Sequence, residues 1–119
     1  MTADEFRRMA LSFPEVVEGS HMGHADFRVG GKVFATLGYP DERYGAAMLT
    51  PQDQDLLVQD HPKTFAPAAG AWGASGSTTI TLRGASKRAV GIALEAAWRK
   101  RAPKELSAES RRKRAPGRP

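Results

Sequence analysis

The chain has 119 residues, a formal net charge of +5 and no cysteine, a length suited to one modest core. The missing thiols exclude disulfides, thiolate metal sites, iron–sulfur clusters and cysteine nucleophiles. No apolar run approaches the ~20 residues of a membrane span and the N-terminus is acidic and amphipathic, so a cytoplasmic protein without a membrane partner is expected. The charge is unevenly placed: from Arg99 onward there are nine basic and two acidic residues, against nine basic and eleven acidic ones in residues 1 to 98. Basicity is thus a property of the C-terminus.

In chain order, residues 2 to 13 predict a helix, because Thr2 and Glu5 have capping-box spacing and Phe6, Met9, Ala10 and Phe13 share one face. Pro14 is expected to stop it. The tetrapeptide Gly19-Ser20-His21-Met22 looks like a cleaved-tag remnant. A capped, patterned helix upstream of it argues that it is native. Asp26 to Leu37 predicts a β-hairpin turning at Gly30-Gly31, with Phe27 opposite Phe34 on the core side. Asp26 and Arg28 then point to the wetter side, while Lys32 shares the phenylalanine face at the tip and must snorkel outward or meet a partner.

Tyr44 to Leu49 predicts a third strand, and Thr50-Pro51 opens a short helix that ends near Asp60. Residues 63 to 76 form an Ala/Gly/Pro-rich loop carrying Phe65 and Trp72. Ser77 to Leu82 predicts a fourth strand, with Thr78, Ile80 and Leu82 on one side and Thr79, Thr81 and Arg83 on the other. Ser86 to Arg101 predicts the last helix, with an apolar stripe of Val90, Leu94, Ala97 and Trp98. Residues 107 to 119 lack a hydrophobic pattern and are expected to be a disordered basic tail after a single domain over residues 1 to 106. The order of elements implies an α+β fold, an antiparallel sheet of about four to six strands with helices packed on one face. Its other face would be left open.

Few residues carry chemistry. His21 and His24 are spaced His-x-x-His, which suits a helical ligand pair poorly and lacks further ligands, so no metal is expected. The stretch around Trp72 is glycine-rich but has no Walker lysine, and Ser75 lacks the second glycine of a nucleophile elbow. Glu15, Glu18, Asp53 and Asp55 suit solvent and helix dipoles. No nucleophile–base pair assembles and no cofactor is implied, so a non-enzymatic protein is expected. Phe65 and Trp72 either pin the long loop to the core edge or leave Trp72 as a stacking surface. Arg99, Lys100 and Arg101 fit the last turn of a helix, where cations favour the macrodipole. The Arg111-Arg112-Lys113-Arg114 run has no such task and serves either as a solubility tail or as a phosphate-neutralising arm.

Three segments together, "GHADFRVGGKVFATL", "HPKTFAPAAGAWG" before a Thr-rich strand, and "AAWRKRAPKEL", resemble the MmcQ/YjbR family from about Phe6 to Leu106. The resemblance implies a fold similar to that of frataxins and a DNA-binding role through a double-winged arrangement, with no reaction attached. It carries over Gly23, Phe27, Gly31, Lys32 and Phe34 of the hairpin, and Trp72. The chain departs from the family after Trp72, where it reads Gly-Ala-Ser-Gly-Ser-Thr in place of a basic pair and a second tryptophan. The expected contacts to DNA, nonspecific and salt-dependent, are Arg28, Lys32, Trp72 and Arg83, with Arg111, Arg112, Lys113 and Arg114 of the tail. The alternative is a small-molecule or protein-binding module, its pocket formed by the open sheet face, His21, His24 and the 63–76 loop with Trp72.

Overall fold

The computed structural model describes residues 1–106. The tail and its Arg111–Arg114 run lie outside the described residues. The elements in order are α1 (Ala3–Leu11), β1 (Val17–His21), β2 (His24–Val29), β3 (Lys32–Leu37), β4 (Tyr44–Met48), α2 (Pro51–Asp60), β5 (Phe65–Pro67), α3 (Gly70–Ala74), β6 (Ser77–Thr81) and α4 (Lys87–Arg101). The strands form one antiparallel sheet in the order β1-β2-β3-β4-β6-β5. The result is the expected α+β architecture, at six strands.

Local sequence signals account for the helix starts. Thr2 accepts the Glu5 amide at 3.1 Å while Glu5 accepts the Thr2 amide at 2.8 Å, the reciprocal capping box. Thr50 caps α2 with Pro51 at its first position, and Ser86 caps α4. α1 ends at Leu11, where the Ser12 amide and hydroxyl both turn back onto the Met9 carbonyl, and Pro14 has no N–H to continue the ladder.

The two faces of the sheet separate cleanly. Phe27, Ala35, Ala47 and Thr78 form one cross-strand row toward the helices, and Leu37, Gly45, Ile80 and Phe65 the next. Phe6 and Ala10 of α1, Leu57 of α2, and Val90, Ala93, Leu94, Ala97 and Trp98 of α4 close over them in a single core. Trp98 is fully covered, stacks on the Phe13 ring at 6.1 Å with the planes inclined by 24°, and donates to the Pro14 carbonyl, which ties α4 to the end of α1. The opposite face carries the row Gly19, Asp26, Thr36, Ala46, Thr79 and Ala66 across all six strands. None of these residues belongs to the core cluster.

Three expectations are corrected. Phe27 faces Ala35 and not Phe34, because the register shifts between Phe27 and Arg28. A bulge sets two residues against one, so Phe34 and Ala35 both turn inward and both are buried. Asp26 is not on a wet surface: it is 2 % exposed, held beneath Arg28 by bonds of 2.9 and 3.0 Å to the guanidinium. The 63–76 segment is no plain loop, since Phe65–Pro67 adds the edge strand β5 and Gly70–Ala74 forms α3.

Candidate functional site

The sheet's connectivity sorts the candidate residues into two ends. The β2–β3 turn at Gly30-Gly31, the end of β4, the start of β6 and the end of β5 share one end, because all neighbouring strands are antiparallel. Lys32 and Trp72 are at this end. The β1–β2 turn at Met22-Gly23, the β3–β4 connection and the exit of β6 share the other, with His21, His24 and Arg83.

At the first end, Gly30 and Gly31 both have positive φ, as a tight two-residue turn of this hand requires. They leave Lys32 exposed, facing Val29 across the hairpin. The last helix returns here. Lys100 donates its ammonium to the Leu49 carbonyl at 2.7 Å, and Pro103 packs so closely on the turn that a Cβ on Gly30 would lie 3.1 Å from its Cδ. Burial and the neighbouring Arg101 hold the Lys100 pKa below its usual value. The Nε of Arg101 is buried with no hydrogen-bond partner among the described residues, and Lys104 is exposed. Arg99 is committed to Glu95 at 2.6 Å.

Trp72 is 73 % exposed, whereas Phe65, its neighbour in the same segment, is 1 % exposed. Phe65 pins the segment and Trp72 does not. The short helix bearing Trp72 is held by close backbone packing and a buried polar network. A Cβ at Gly73 would overlap the Ala68 carbonyl, and one at Gly76, which has φ +114°, would overlap that of Leu49. The buried Gln54 amide donates to the Gly73 carbonyl at 3.0 Å, the Ser77 carbonyl at 3.1 Å and the Thr78 hydroxyl at 3.2 Å. Thr78 in turn donates to the Gly76 carbonyl at 2.9 Å.

Arg28 stands one register pair back from the Gly30-Gly31 turn, opposite Val33. Its guanidinium lies on the open sheet face, where the pairing with Asp26 raises its pKa. Gly19 makes room for this pair: a Cβ there would sit 3.0 Å from Asp26 Oδ1. Arg83 is exposed at the far end, near Arg43, whose guanidinium packs over Tyr44 and binds Asp41. That pairing holds Asp41 down at about 2 and raises Arg43. His21 and His24 face each other across β1 and β2, and the His24 ring meets Tyr39 edge-on at 5.3 Å. They occupy the corner diagonally opposite Trp72, so the structure does not bring the three together as a pocket. Among the described residues no group of His, Asp or Glu could hold a metal ion, and no helix is long and apolar enough to cross a membrane.

The positions missed in sequence are Lys100, Arg101 and Lys104. For Lys100 and Arg101, their place in the last turn of α4 already explained their charge; Lys104 drew no reading. Only the packing of Pro103 on Gly30 brings this stretch to the Lys32 end of the sheet, and no periodicity announces such a contact.

Comparison with known proteins agrees with this architecture. A crystal structure of a Deinococcus radiodurans protein with the family domain DUF419 superposes with a TM-score of 0.72, covering 94 % of this chain and 86 % of that one at 20 % identity. At that identity the likeness is one of fold. No curated protein matches the chain. The YjbR family model matches residues 11–100. With most of its length matched, the chain belongs to the YjbR family.

Proposed function

We propose that the protein is a non-enzymatic, cytoplasmic nucleic-acid-binding protein that grips phosphates at the end of the sheet where Lys32, Lys100, Arg101 and Lys104 converge. The observation that carries this reading is the contact of Pro103 with the Gly30-Gly31 turn. It brings the chain out of α4 beside Lys32, with the Arg111-Arg112-Lys113-Arg114 run only a few residues further on. Neither Lys32 nor Lys104 spends its charge on an ion pair among the described residues. Such a surface neutralises phosphates without reading base edges, so binding is sequence-tolerant and falls steeply with salt.

The test is fluorescence anisotropy of a labelled duplex over a salt series, with the full chain, a chain ending at Leu106, and Lys32→Ala in each. Truncation is expected to weaken binding without abolishing it, and Lys32→Ala to weaken what remains. Complete loss on truncation would reduce the activity to that of a polycation and remove the folded body from it.

A further inference from the structure

We infer that the nucleic acid is taken as a single strand, with an unpaired base stacked on Trp72 while its phosphates run past Lys100, Arg101 and Lys32. This rests on the nucleic-acid reading above and names its substrate class. Four observations support it. Trp72 has no ring partner among the described residues and is 73 % exposed, although burial of an indole is strongly favourable. Its exposure is built in: the Gly73 and Gly76 backbone contacts and the Gln54 network hold α3 against Ala68 and Leu49, so the ring is presented on a fixed support.

The neighbours of the ring in sequence, Ala69, Gly70, Ala71, Ala74 and Ser75, are small and exposed, leaving the indole standing above its surroundings. Finally, residues 61 to 94 contain no aspartate or glutamate, so the segment that carries Trp72 has no carboxylate of its own; Asp53 and Glu95 line the groove beside Lys100, with Glu95 paired to Arg99. The indole and the cations are physically linked. Leu49 touches Gly76 at the end of α3 through its carbonyl, and the same carbonyl accepts the Lys100 ammonium. An aromatic face beside a cationic track is the arrangement that binds unpaired bases, whereas a duplex hides its base faces inside the stack.

The experiment titrates the full chain with an oligothymidine of about 15 nucleotides, the upper range of a single-strand site, and with a duplex of the same length. Tryptophan emission is followed together with anisotropy of the labelled nucleic acid. Trp98 is 1 % exposed, so a change in emission reports Trp72. The strand is expected to quench Trp72 and to bind more tightly than the duplex. Trp72→Ala should lower strand affinity by about 5- to 100-fold and leave duplex affinity unchanged, with Trp72→Phe between. Equal binding of strand and duplex, unaffected by Trp72→Ala, overturns the stacking claim while the phosphate reading stands. Saturation by the strand without a change in emission also overturns it, and leaves Trp72 to a protein partner. Binding of neither nucleic acid overturns the reading beneath it.

Discussion

Replacing Gln54 by methionine removes an amide from the interior while keeping the side chain's length and most of its volume. The amide nitrogen has two protons to share among the Gly73 and Ser77 carbonyls and the Thr78 hydroxyl. Neither carbonyl is orphaned by the change, because Gly73 also accepts the Gly76 amide and Ser77 the Ala68 amide. The loss is therefore the net value of two hydrogen bonds, about 0.5 to 1.5 kcal/mol each, or roughly 1 to 3 kcal/mol in all. For a domain near this size each kcal/mol moves Tm by about 4 to 8 °C, so Gln54→Met should melt about 5 to 20 °C lower. Gln54→Ala should lose more, since a void then adds to the missing bonds. Urea unfolding followed by circular dichroism gives both values, with an unchanged slope showing that the same surface is exposed. A Gln54→Met variant within about 0.5 kcal/mol of the parent, the range of an ordinary surface change, would refute the claim that this network holds the Trp72 helix in place.

Arg28→Ala strips Asp26 of its cation and should destabilise the fold, by less than the loss of a fully buried pair because the Arg28 side chain is 39 % exposed. Adding Asp26→Asn should return part of that loss, which a double-mutant cycle by urea unfolding measures. Gly76→Ala forces a Cβ into the Leu49 carbonyl at a φ of +114°; it should destabilise by more than about 3 kcal/mol and lower the soluble yield. Acid should weaken the fold through Glu5, whose pKa is held from 4.5 down to about 2, first by the Thr2 backbone N–H and then by Lys87. A carboxylate depressed on folding contributes stability above its unfolded pKa and loses it as pH falls through the folded one. Tm should therefore fall between pH 4.5 and 2 less steeply in Glu5→Gln, which keeps the capping geometry without the charge. Asp41, lowered to about 2 by its bonds to Arg43, behaves alike.

What was legible in the sequence was mostly local. Thr2 with Glu5, Thr50 with Pro51, and Ser86 announce their helices through short-range hydrogen bonding that tertiary structure did not override. The Gly30-Gly31 turn and the inward face of β6 followed from turn chemistry and from alternation. The failures share one cause, dependence on a partner distant in sequence. β1, reading Val-Glu-Gly-Ser-His, shows no apolar alternation because it is an edge strand beyond the reach of the core. β5 is a strand only because β6 offers it an edge, and α3 exists because Gly73 and Gly76 let its backbone touch Ala68 and Leu49. Two adjacent inward residues, Phe34 and Ala35, conceal the bulge, since strict alternation cannot express it. Burial of Asp26 needed a glycine on the neighbouring strand, at Gly19, and β1 itself carried no signal that would place it there. The candidate site followed the same rule: Lys32 and Trp72 were nameable from sequence, their cationic neighbours were not.

If one end of the sheet, and not the other, meets the nucleic acid, charge reversal should matter at that end alone. The most direct test uses the chain ending at Leu106, with Lys32→Glu and Lys104→Glu at one end or Arg83→Glu and Arg88→Glu at the other, and records oligothymidine affinity against salt. Both pairs remove and reverse the same charge from exposed positions, so a general electrostatic effect would weaken binding equally. Reversal at Lys32 and Lys104 is predicted to weaken binding and to flatten the salt dependence by about 1 to 2 units of slope, near 0.7 for each single-strand phosphate left unneutralised. Reversal at Arg83 and Arg88 is predicted to leave the slope unchanged. Equal losses from both pairs, or a greater loss from Arg83 and Arg88, would contradict the assignment of the binding end.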